Sequence, residues 1–114
     1  MVLLPDGALT GLFPLDLFGD ARFVERSERV LEEVSQELAT GPAVVLGSVR
    51  RAHAPTVEHP GLEAGAALLA EGRLQHWAAQ RTLRSHGPFV EARWFRPGAA
   101  SAPSPLGRLR VGLI

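Results

Sequence analysis

ARFVERSERVLEEVSQELATGPAVVLG, residues 21–47, carries two hydrophobic patterns in one stretch. In the first part, Phe23, Ser27, Val30, Leu31, Val34 and Leu38 recur at helical spacing, while Glu25, Glu28, Arg29, Glu32, Glu33 and Glu37 take the other side. A helix of about 3.6 residues per turn collects such positions into one apolar stripe. Asp20 stands in front as an N-cap, because its side chain can accept from the orphaned first N–H groups. Gly41-Pro42 is expected to end the helix. Ala43 to Gly47 then runs apolar without alternation between breakers, which predicts a strand buried on both faces. A helix that feeds directly into a buried strand predicts an α/β fold.

Upstream, Val2-Leu3-Leu4 is an apolar run stopped by Pro5, Asp6 and Gly7, which predicts a buried strand ending in a turn. Leu3 to Leu46 then has the order and length of one strand–helix–strand unit, with Ala8 to Gly19 as a loop. Downstream, Val49 to Gly61 shows no period and reads as a loop. Glu63–Ala70 and Arg73–Trp77 read as two strands joined by a tight turn at Glu71-Gly72, although the alanine-rich first one also fits a helix. Residues 78–98 read as irregular, Gly98 to Gly107 as a linker or loop, and Arg108 to Ile114 as a strand.

Composition narrows the function classes. A chain of 114 residues, 46% hydrophobic and 21% charged, makes one small domain. Its formal net charge is zero, so it presents no overall case for nucleic-acid or membrane partners. The charge is uneven: residues 1–63 carry ten acids and five arginines, residues 64–114 two acids and seven arginines. Such a split fits a phosphate-binding face, and more often means that the halves pair with each other or face solvent. All twelve cations are arginine, which removes lysine chemistry, and the absence of cysteine removes disulfides, thiolate metal sites and a cysteine nucleophile. MVLLP is too short for a signal peptide, and no run of about 18 apolar residues spans a bilayer, so the expected location is cytoplasmic.

One further segment is unusually constrained. SHGPFVEARWFRPG, Ser85 to Gly98, holds three of the seven aromatics, with Glu91 in its middle and Arg93 and Arg96 behind. With three other stretches it resembles the carbon–nitrogen hydrolase (nitrilase) superfamily, most closely the glutaminase domain of glutamine-dependent NAD+ synthetases. LLPDGALTGLFPLDLF, Leu3 to Phe18, is similar to the family's strand ending in F-P-E followed by L-x-L-T-G-Y and P-x-D-L-L. GPAVVLGSVRR after the helix is similar to its P-x-V-V-V-G strand. AALLAEGRLQHWAAQRTLRSHGPFVEARWFRPG, Ala66 to Gly98, follows without a gap the pattern N-A-A-x-L-L-x-x-G-R-V, then Y-R-K-x-x-L-P-N-Y-G-V-F-D-E-x-R-Y-F-x-P-G. The final RLRVGLI is similar to the strand before the family's C-E-D.

The resemblance implies a partial nitrilase-type α-β-β-α sandwich over residues 1–114, a single domain truncated at both ends. The family's chemistry uses a cysteine thiolate as nucleophile, a glutamate as general base and then acid, and a lysine ammonium at the oxyanion. Matched position by position, the general base falls on Asp6, one methylene shorter, the lysine on Gln80, and a second, positioning glutamate on Glu91. The pocket tyrosine falls on His86, and Phe89 keeps the pocket phenylalanine, so these two are the substrate-binding candidates; the strand asparagine falls on Ala64. The nucleophile's position would come directly after Ile114. The implied substrate is glutamine or another small amide, with no cofactor and no metal. The expected state is catalytically inactive. The alternative is a non-catalytic interaction or regulatory module that keeps the fold.

Each candidate also has a plainer reading. Asp6 fits an ordinary turn, and Glu91 fits a solvated acid or a partner for Arg93. His53 and His59 share a loop but have no third ligand at metal spacing. Trp77 and Trp94 fit core or interface roles, while the cluster Arg81, Arg84, Arg93 and Arg96 suits an anion. Without the family's first strand and helix, and without the family's elements beyond the position of Ile114, the apolar strand Ala43 to Leu46 is expected to lack covering layers. The expected partner is a second copy, as a homo-oligomer, or a full-length paralogue.

Overall fold

Helix α1, Ala21–Glu37, forms where the periodicity predicts it, in a computed structural model that describes residues 1–11, 15–52, 61–87 and 89–113. The Asp20 carboxylate accepts from the Arg22 N–H at 2.9 Å. That backbone hydrogen bond, reinforced by the Arg22 guanidinium, holds its pKa below the ordinary aspartate value. The C-terminus departs from expectation. The helix ends at Glu37, and the Leu38 N–H bonds back to Val34 and the Ala39 N–H to Gln36 before Gly41 is reached. A turn from Leu38 to Gly41 closes it, with the Gly41 N–H on the Leu38 carbonyl at 3.0 Å.

The buried stripe is also rotated from the expected one. Val24, Ser27, Leu31 and Ser35 are buried, while Phe23, Val30, Val34 and Leu38 are half-buried. Serines at the contact line are small enough to bring the helix close to the sheet, and Ser35 satisfies its hydroxyl on the Glu32 carbonyl at 2.7 Å.

The sheet has four strands in the order β1-β2-β3-β4: β1 Val2–Leu3, β2 Val44–Arg51, β3 Leu62–Ala70 and β4 Arg73–Ala79. β1 and β2 are parallel, Val2 opposite Val44, with α1 as the crossover, as the strand–helix–strand reading expects. β2 with β3 and β3 with β4 are antiparallel. The β3–β4 turn is Glu71-Gly72, both at positive φ (55° and 76°), the geometry of a tight hairpin. Leu31, Val44, Leu46, Ala67 and Leu69 form the core between helix and sheet, with Val34, Leu38 and Trp77 packed against it. This is an α/β fold.

Four expectations need correcting. β1 is not buried: Leu3 is 68% exposed, and Met1, Val2 and Leu4 are exposed with it. It lies at the end of the sheet, where its outer edge has no strand beside it among the described residues. β2 continues through Arg51, past the expected end at Gly47, because β3 is long enough to pair with it as far as Leu62. The expected 98–107 loop contains strand β7, Ser104–Leu106. β7 pairs with β8, Leu109–Val111, around Gly107 at φ 56°, so the C-terminal strand sits in its own hairpin rather than in the main sheet. Finally, residues 78–98 are less irregular than expected. β4 runs to Ala79, strands β5 (Ser85–His86) and β6 (Phe89–Val90) pair, and a 3-10 turn follows at Glu91–Arg93.

Candidate functional site

Asp6 sits in the turn that leaves β1, where Gly7 takes φ 67° and the Ala8 N–H bonds to the Pro5 carbonyl. This turn rests directly on β2. A Cβ at Gly47 would stand 2.7 Å from Asp6 Oδ1 and 2.8 Å from its Cα, so only glycine lets the turn settle there. Gln80 follows β4 and extends its ladder: the Gln80 N–H donates to the Ala64 carbonyl at 2.8 Å. Its own carbonyl accepts from Gly98 N–H, also at 2.8 Å. At Gly98 an added Cβ would collide with Ala79, so the returning segment can lie against β4 only because residue 98 is glycine.

Glu91 comes from the end of the β5–β6 hairpin. Its N–H donates to the Arg84 carbonyl at 3.1 Å, and its carboxylate Oε2 accepts from the Arg84 N–H at 2.6 Å. Gln80 Nε2 donates to the same oxygen at 2.8 Å and to the Thr82 carbonyl at 2.8 Å. The structure therefore brings Gln80 and Glu91 into direct contact. Arg84 joins them to Asp6: its guanidinium lies 4.0 Å from Asp6 Oδ2. Both of those side chains are largely exposed, so the pair is screened and weak, and it orients more than it stabilises.

His86 pairs with Phe89 across the β5–β6 hairpin, two positions from Arg84. The Phe89 side chain, and His53 and His59, lie outside the described residues. Among the described residues no group of three His, Asp or Glu side chains is placed to hold a metal ion.

Three of the four arginines in the cluster that suited an anion go to separate acids. Arg84 faces Asp6, Arg93 faces Asp16 at 3.8 Å, and Arg96 binds Glu63 at 2.7 Å. These three pairs join the basic half of the chain to the acidic half, while Arg22, Arg29, Arg50 and Arg51 pair with acids of their own half. Glu91 accordingly takes Gln80 and the Arg84 N–H as its partners, while Arg93 goes to Asp16 and stacks over Trp94.

Sequence reasoning passed over Glu63. Its carboxylate is buried and binds two guanidiniums, Arg96 through Oε1 (3.0 and 2.7 Å) and Arg50 through Oε2 (3.2 and 3.0 Å). Arg50 also stacks on the Trp77 ring at 4.7 Å. Burial pushes the Glu63 carboxyl up, but hydrogen bonds from Arg96 and then Arg50 more than offset it and leave it below its ordinary value of 4.5. The available signal was the acid at an inward position of β3, since a charge there requires partners.

Chemically, the site offers an exposed carboxylate, a neutral amide donor and a second carboxylate already engaged by two N–H donors. With no cysteine in the chain, no thiolate stands among these groups.

No protein-family profile matches the chain. A glutamine-dependent NAD+ synthetase from a Synechocystis strain is 28% identical over 116 residues, covering 99% of this chain and 20% of that protein. Two solved structures share the fold. One, a glutamine-dependent NAD+ synthetase from Cytophaga hutchinsonii, aligns with 96% of this chain and 18% of its own at a TM-score of 0.71 and 20% identity. The other, the Acinetobacter baumannii enzyme in complex with adenosine diphosphate, aligns with 96% of this chain and 20% of its own at a TM-score of 0.77 and 17% identity.

The relatives are glutamine-dependent NAD+ synthetases. The chain spans about a fifth of the length of these synthetases. Nearly all of it superposes on the two solved synthetases, so the helix-on-sheet arrangement that carries Asp6, Gln80 and Glu91 is a portion of the synthetase fold.

Proposed function

We propose that the chain corresponds to part of the glutaminase (carbon–nitrogen hydrolase) domain of a glutamine-dependent NAD+ synthetase, and that it is catalytically inert by itself. The observation that carries this reading is the meeting of Gln80 and Glu91 at 2.8 Å, with Arg84 linking them to Asp6. These are the positions to which the family resemblance assigns the lysine, the second glutamate and the general base. In such a site Glu91 orients Gln80, and Asp6 offers the carboxylate. A chain with neither cysteine nor lysine lacks the attacking thiolate and the ammonium that stabilises the oxyanion. The ligand class is glutamine or another small primary amide, bound near His86 and Phe89, in a cytoplasmic setting without nucleic-acid or membrane partners.

Ammonia release from glutamine by the purified protein tests this directly. The expected result is no turnover above background. Turnover that vanishes in Asp6→Asn alone would overturn the inert reading and imply direct attack by water.

A second reading is supported by the exposed apolar run Met1 to Leu4 on the edge of the sheet. An open apolar edge is a template for another strand. On this reading the chain is a non-catalytic interaction module that pairs with a second copy or a longer paralogue. Size-exclusion chromatography with light scattering, run on the protein alone and mixed with a longer paralogue, tests this reading: it requires a complex in one of the two, and a monomer in both excludes it.

A further inference from the structure

The segment that carries Glu91 into the site is held from the other side of the sheet. Gln80 lies next to Ala64 through its backbone, and the adjacent residue on β3, Glu63, has its side chain on the opposite face, with Arg50 and Trp77 under α1. Glu63 grips Arg96, five residues beyond Glu91. Between them the chain is continuously tied. The Glu91 carbonyl accepts from the Trp94 and Phe95 N–H groups at 2.9 and 2.8 Å, and the Arg96 N–H donates to Leu62 at 3.0 Å. Phe95 is buried and packs edge-on against Phe18 with ring centroids 4.9 Å apart.

We infer that Glu63 is a positioning residue for the candidate site: by binding Arg50 of β2 and Arg96 through separate carboxylate oxygens, it fixes residues 91–98 and so seats the Glu91 carboxylate on Gln80 and the Arg84 N–H. The inference rests on the site as read under the proposed function, but it concerns the seating of Glu91 and needs no ligand or turnover.

The physical reason is the cost of leaving charge buried. The Glu63 side chain is 8% exposed, and those of Arg50 and Arg96 are 24% and 21% exposed. Removing the carboxylate leaves two guanidiniums crowded together with little water and breaks the ion pair that ties Arg96, outside the main-sheet strands, to β3. Weakening that tie loosens the Leu62 and Gln80 backbone bonds and, through the 3-10 turn, the Glu91 carboxylate. Arg50 is held within a strand and against Trp77, so the disturbance is directed toward the site rather than into β2.

The test follows the Arg84 backbone amide by 15N NMR, because that N–H reports directly on the Glu91 carboxylate 2.6 Å away. In Glu63→Gln the Arg84 amide should exchange with solvent at least tenfold faster and shift toward the position of a free amide. Leu31→Ala, a core change of comparable global effect, should leave the Arg84 shift unchanged. Glu63→Asp should restore part of the shift. Arg96→Met should reproduce the Glu63→Gln change, and the double variant should add nothing to it. If Glu63→Gln does not fold, Glu63→Asp and Arg96→Lys carry the same comparison at smaller amplitude. An Arg84 amide as protected and unshifted in folded Glu63 and Arg96 variants as in the wild type would overturn the inference. Because ammonia release is not the readout, failure of the glutaminase reading leaves this result interpretable.

Discussion

β1 and β2 lie side by side in one sheet, run in the same direction and spell nearly the same thing: Val2-Leu3-Leu4 and Val44-Val45-Leu46. Yet Leu46 is 2% exposed while Leu3 is 68% exposed. The difference is not in the strands. β2 has β1 on one edge, β3 on the other and α1 across one face, whereas β1, among the described residues, is flanked on one side and α1 packs against β2 and β4. Apolar character thus marks what a strand can bury, and its neighbours decide what it does bury.

Truncating both strands gives the largest contrast. Leu46→Ala should cost about 3–4 kcal/mol, since it leaves a cavity the helix and sheet cannot close. Leu3→Ala should stay within about 0.5 kcal/mol, as for other exposed positions. Urea unfolding of the two variants measures both, and equal losses would mean that β1 is covered in solution, as an oligomer would cover it.

The next contrast sets the buried clamp on β3 against the exposed carboxylate beyond β1. Glu63→Gln should cost about 3 kcal/mol, the lower end for breaking a buried pair, because both arginines keep some access to water. Asp6→Asn should change stability by less than about 0.5 kcal/mol. The pH dependence has a definite sign. Glu63 is held below its ordinary value of 4.5 when folded, so the unfolded chain binds its proton more readily. Its stabilisation is complete above about pH 4.5 and is lost as the pH falls through the lower, folded value. The gap between wild type and Glu63→Gln in denaturant midpoint should therefore be constant from neutral pH down to about 4.5 and shrink below it.

A smaller loss than at Leu46 or Glu63 is expected where the two regions touch. A methyl at Gly47 would approach Asp6 Oδ1 to 2.7 Å and its Cα to 2.8 Å, and the turn must lift to admit it. Gly47→Ala should cost about 1–2 kcal/mol, with the penalty expressed at the edge rather than in the core. Amide exchange should quicken at Val2 and Leu4, which donate to Ala43 and Val45, and stay slow in β3.

Within the site, the resemblance marked Asp6, Gln80 and Glu91 one at a time, and the fold brings Gln80 onto Glu91. What it could not mark was Arg84, whose N–H holds one acid while its side chain faces another, because those two acids are far apart in sequence and meet only after folding. Glu63 escaped for a similar reason: its partners come from β2 and from beyond the 3-10 turn.

By itself, the sequence determined the elements whose causes are local. The Asp20 cap and the three- and four-residue spacing make α1, the unbroken apolar run makes β2, and Glu71-Gly72 at positive φ makes the β3–β4 hairpin. Hydrogen bonds within a helix or across a two-residue turn join residues close in sequence, so composition and spacing carry them. The tertiary structure alone decided the rotation of α1 onto Val24 and Ser35, the exposure of β1, the length of β2 and the withdrawal of β8 into a hairpin with β7. Each depends on which distant segment arrives to pair or to cover. A strand's edges and faces are equivalent until a neighbour occupies one of them.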